Sequence, residues 1–80
     1  MARFNRKWVV GNLRETVEHL ESAIAEIEKG NYGACEAWTE FIYCDLNRAW
    51  NGRNLSIEQC KRNDETIRSF PRDISFVDNP

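Results

Sequence analysis

The chain has 80 residues, of which 41% are hydrophobic and 30% charged, with 4 Gly, 2 Pro and a formal net charge of −2. That length allows one domain. The composition excludes a disordered chain, which would be poorer in apolar residues, and a turn-dense all-β domain, which would be richer in Gly and Pro. No apolar run reaches the ~20 residues that span a bilayer. The opening stretch, MARFNRKWVVGN, has cations but no apolar segment of the secretory kind, so the expected location is the cytoplasm.

Residues 1–11 read as a basic arm carrying Arg3, Arg6 and Lys7. The clearest helical signal follows over residues 12–29. Leu13, Val17, Leu20, Ile24 and Ile27 recur at alternating steps of four and three, an apolar stripe on one helix face, and Val10 extends it one step upstream. Asn12 with Glu15 is one candidate capping pair. A start near Asn5 is the alternative, and it runs the helix through Gly11. Lys29 and Gly30 fit the other end, with a cation near the last carbonyls and a glycine free to adopt positive φ. Gly30-Asn31-Tyr32-Gly33 then reads as the turn of a helical hairpin.

Residues 34–51 form the second predicted helix. With Trp38 at the origin of its wheel, Ala49, Ile42 and Leu46 fall within about 80° on one side and Phe41 about 60° away on the other. Trp50 and Tyr43 lie further round, and only Glu36, Glu40, Asn47 and Asn51 form a polar back. This apolar arc exceeds the ~100° that one neighbour covers, so the helix is expected to pack against more than one. A third, shorter helix is predicted over 56–70, with Ser56 and Gln59 as a capping box. Ile57, Cys60, Ile67 and Phe70 are its candidate inner face, which Asp64 interrupts. Pro71 ends it, and residues 71–80 form a tail. The fold class is therefore all-α: an antiparallel hairpin plus a third helix, with a homodimeric four-helix-like core as the expected remedy for a thin single-chain core.

Chemistry-bearing patterns are sparse. Cys35, Cys44 and Cys60 are odd in number and read as reduced, small apolar residues. The single His19 and the absence of paired cysteines give no metal motif, and no cofactor is expected. His19 lies about 120° from the apolar stripe, at solvent or at the edge of a packing seam. It is the only ordinary base for a Ser or Cys nucleophile, so the chain is expected not to be an enzyme. Asp45 stands out because it falls inside the apolar arc, where a carboxylate needs a partner. Arg48, Arg14 and a cation from another chain are the candidates. Trp8, Tyr43, Trp50 and Arg53 are the candidate partner-binding residues, since aromatic side chains and Arg are enriched at interface hot spots.

Residues 1–14 carry four cations and no acid, whereas residues 15–29 carry five Glu and one Lys. The expected function is a small non-enzymatic interaction or regulatory module, acting through protein–protein contacts or self-association as a homodimer. The alternative is a nucleic-acid-binding regulator that uses Arg3, Arg6, Lys7, Lys61 and Arg62.

Overall fold

In the computed structural model, residues 3–73 are described. Four helices follow in chain order: α1 (Arg6–Glu28), α2 (Ala34–Asn51), α3 (Ile57–Arg62) and α4 (Asp64–Ile67). The first two pack side by side as an antiparallel hairpin, and α4 folds back against the C-terminal half of α2, with α3 leading into it. The expected all-α class and hairpin are thus present. The short third element differs from expectation.

The longer of the two candidate starts for α1 is the one adopted. The Asn5 side chain accepts a hydrogen bond from the Trp8 amide at 3.0 Å, satisfying one of the donors that a helix start leaves open. Its Nδ2 also donates to the Leu55 carbonyl at 2.7 Å, and its amide donates to the Arg53 carbonyl. One residue therefore caps α1 and ties it to the α2–α3 connection. Residues 6–11 of the expected basic arm are consequently helical, and Asn12 is an interior residue.

At the other end of α1, Gly30 takes φ +90°. The Gly30 and Asn31 amides return to the Ile27 and Glu26 carbonyls. This is the paired closure of a Schellman motif, and it needs the left-handed conformation glycine supplies.

The predicted 56–70 helix is broken at Asn63. The Ser56–Gln59 capping box forms as expected, with both reciprocal hydrogen bonds present. At Asn63, however, the backbone leaves helical geometry (φ −112°, ψ 26°) and Nδ2 donates to the Gln59 carbonyl. The break has a physical counterpart: it aims Asp64 at Arg48, whose Nε lies 2.9 Å from the carboxylate. Of the four inner-face candidates, Cys60 and Ile67 are buried and Ile57 and Phe70 are exposed.

Gly52 closes α2 where Trp8 crosses it. A Cβ there would sit 2.8 Å from the Cys60 sulfur and closer still to the Trp8 indole nitrogen. Only glycine admits this approach.

Candidate interaction surface

The seam between α1 and α2 is made of small and polar residues. Asn12, Thr16 and Ala23 are buried on α1, as are Asp45 and Ala49 on α2. The polar atoms of Asn12 and Thr16 are satisfied within their own helix. Asn12 Nδ2 donates to the Trp8 carbonyl and Thr16 Oγ1 to the Asn12 carbonyl, each at 2.9 Å. Such side chains let two helices approach closely without leaving a buried donor unpaired.

At the middle of the seam, the Asp45 side chain is nearly sealed from solvent. One of its oxygens lies 2.6 Å from His19 Nδ1, and the other lies 3.5 Å from an Arg48 nitrogen. Arg48 continues the chain of charges to Asp64. Arg48 was among the partners expected for Asp45. His19 was not, although it stands at the packing seam that its wheel position allowed. It forms a three-ring cluster with Trp38 and Phe41, whose centroids lie 5.6 and 5.5 Å from it and 5.8 Å from each other. The Arg48 hydrogen bond holds the Asp64 carboxyl below its ordinary range, and Asp64 in turn raises the pKa of Arg48.

The seam does not use the apolar stripe of α1. Val10, Leu13, Val17, Leu20, Ile24 and Ile27 all lie open, with between 37% and 57% of their surface accessible. The reason is angular. The centre of the stripe is rotated roughly 90° around α1 from Asn12, Thr16 and Ala23. The wide arc of α2 is open on the same side, where Leu46 and Trp50 are exposed. A cleft of about 310 Å³ lined by Phe4, Val9, Leu13, Ala49, Trp50 and Arg53 joins the two helices there. The second neighbour of α2 arrives on its polar back instead. Asn47 Nδ2 donates to the Arg68 carbonyl, and Asn51 Nδ2 to those of Ile67 and Ser69. The helix thus packs against more than one neighbour, as expected, but the second lies on its polar back and leaves the apolar arc open.

The candidate partner-binding residues fall in three places. Trp8 turns inward, its indole N–H donating to the Arg48 carbonyl at 2.8 Å. Tyr43 is exposed and stacks on Phe70. Trp50 and Arg53 form one cluster at the edge of the cleft, with the guanidinium 3.7 Å from the indole centroid. Asp73 bridges both, accepting from Trp50 Nε1 at 2.8 Å and Arg53 Nη2 at 3.0 Å. Those two bonds, the Trp50 one foremost, lower the pKa of the Asp73 carboxyl.

Of the cations in the nucleic-acid reading, Arg6 and Lys7 lie in the first turn of α1, and Lys61 and Arg62 end α3. Arg3 lies beside the start of α3, lining a shallow depression with Ser56 and Gln59. All five are exposed.

The three cysteines are unbridged, with Cys60 fully buried and Cys35 exposed. Burial pushes the Cys60 thiol pKa up, which makes it less reactive. Among the described residues, no helix is long and apolar enough to cross a membrane.

No protein-family model, curated protein or solved structure matches the chain.

Proposed function

We propose that the protein is a small, non-enzymatic helical interaction module, acting through protein–protein contacts or self-association. The observation that carries this reading is the continuous open apolar face of the hairpin, formed by the α1 stripe together with Leu46 and Trp50 of α2. Contiguous apolar patches of this kind mark interaction sites in soluble proteins. The buried apolar residues offer little in exchange: Ala23, Ala49, Cys60 and Ile67 among the described residues. The Trp50–Arg53 pair at the edge of the face adds an aromatic–cation element typical of interface anchors.

A bait comparison tests this reading. The wild-type chain and a Leu20→Asp/Leu46→Asp variant are immobilised and exposed both to extract of source cells and to the purified chain itself. Far-UV circular dichroism checks that both are equally helical. The reading expects at least one protein, the chain itself or another, to be retained by the wild type and lost by the variant. Equal retention by both baits, or retention by neither, contradicts it.

A further inference from the structure

The α1 stripe carries more information than its openness. Val10, Leu13, Val17, Leu20, Ile24 and Ile27 repeat at alternating steps of three and four, the spacing of a seam that another helix covers. The seam has two flanks. One is Thr16 and Ala23, buried in the α1–α2 seam. The other is Lys7, Arg14, Glu21 and Glu28, at strict seven-residue intervals. All four are exposed, and none makes an ion pair among the described residues. Two cations therefore occupy the N-terminal half of this flank, and two carboxylates the C-terminal half.

That order selects a partner. A parallel copy of α1 would set this flank against the Thr16–Ala23 flank of the other chain, which carries no charge, and would leave all four charges unmatched. An antiparallel copy, with its two-fold axis between Val17 and Leu20, pairs Val10 with Ile27, Leu13 with Ile24 and Val17 with Leu20 of the other chain. Every residue of the stripe is then matched. The same register brings Lys7 next to Glu28, and Arg14 next to Glu21, of the other chain, and symmetry repeats both pairs. The seven residues after Asp73 carry only Asp78 as a charge, so they supply no equivalent match.

We propose that the occupant of this face is a second copy of the chain, its α1 lying antiparallel to α1 of the first, so that two hairpins close face to face as a four-helix array. This assignment rests on the interaction-module reading above and names its partner. Flank charges that are matched in one orientation and left unmatched in the other are a known means of fixing helix pairing.

Sedimentation equilibrium on the wild type, on Lys7→Glu/Arg14→Glu, on Glu21→Lys/Glu28→Lys and on an equimolar mixture of the two variants tests it. The substitutions are at exposed positions, so the hairpin itself is undisturbed, which circular dichroism verifies. The wild type is expected to dimerise in the micromolar range. Each variant alone presents one sign along the flank and should associate at least about tenfold more weakly. The mixture should form a heterodimer of about wild-type affinity. Wild-type chain that stays monomeric to about 100 µM overturns the second-copy assignment, while a different partner captured in the bait comparison would leave the broader reading intact. A wild-type dimer that both charge variants form equally well overturns the antiparallel α1 register.

Discussion

Asp45 shows how one residue organises the hairpin. Its carboxylate reaches His19 on α1 and Arg48 on its own helix, and Arg48 passes the connection to Asp64. Replacing Asp45 by Ala leaves His19 Nδ1 without its partner across the seam and takes one contact from Arg48, which keeps its bonds to Asp64. The expected loss is about 2–3 kcal/mol, since removing one partner of a buried polar pair costs more than the pair contributes. A urea titration followed by circular dichroism measures it, and an unchanged midpoint would place the network outside the stabilising contacts. That Asp45 needs a partner was legible from its place within an apolar arc. That His19 supplies it was not, because the apolar stripe marks a different face of α1 for packing and His19 lies well off that line.

Between elements, two glycines and one ion pair give contrasting expectations. Gly52 meets Trp8 and Cys60, so Gly52→Ala forces side chains apart and should destabilise by about 1–3 kcal/mol. Gly11 sits in the exposed interior of α1 with open space around it. Gly11→Ala should therefore stabilise by about 0.5–1 kcal/mol. Thermal unfolding of both variants checks the opposed signs.

The Asp64–Arg48 contact ties α4 to α2, and its pH dependence follows from the lowered Asp64 pKa. A carboxyl with a depressed folded-state pKa stabilises the fold above its unfolded pKa, and that contribution disappears as pH falls through the folded value. The Asp64 contribution should thus be level near neutral pH and decline below about pH 4. Asp64→Asn should make the decline shallower in urea titrations at several pH values. Glu26 and Asp73 are shifted in the same direction, so some slope remains in that variant.

The boundaries of α2 were readable because glycines bracket a strongly apolar run. The start of α1 was ambiguous because Asn5 and Asn12 both suit a cap, and only the tertiary bonds from Asn5 to Leu55 and Arg53 decide between them. The break at Asn63 follows from a contact between distant elements, which local propensity does not encode.

For the whole molecule, the central fact is the mismatch between what is buried and what is apolar. The hairpin closes on Asn12, Thr16, Ala23, Asp45 and Ala49, and the richest apolar stripe points away. The periodicity of that stripe was plain in the sequence. Its direction was not, because a hydrophobic pattern locates a face to be covered without saying which chain covers it. Small side chains that satisfy their own polar atoms formed the intrachain seam instead. On this account one chain is half of a bundle, and the Lys7–Arg14–Glu21–Glu28 flank orients the other half.

Isotope-filtered NOE spectroscopy on a mixture of labelled and unlabelled chains examines that claim without altering a residue, since all six stripe residues bear methyl groups. The account predicts contacts between copies joining Val10 to Ile27, Leu13 to Ile24 and Val17 to Leu20. Contacts between like residues, such as Leu13 to Leu13 and Ile27 to Ile27, or no contacts between copies at concentrations where sedimentation reports a dimer, would contradict it.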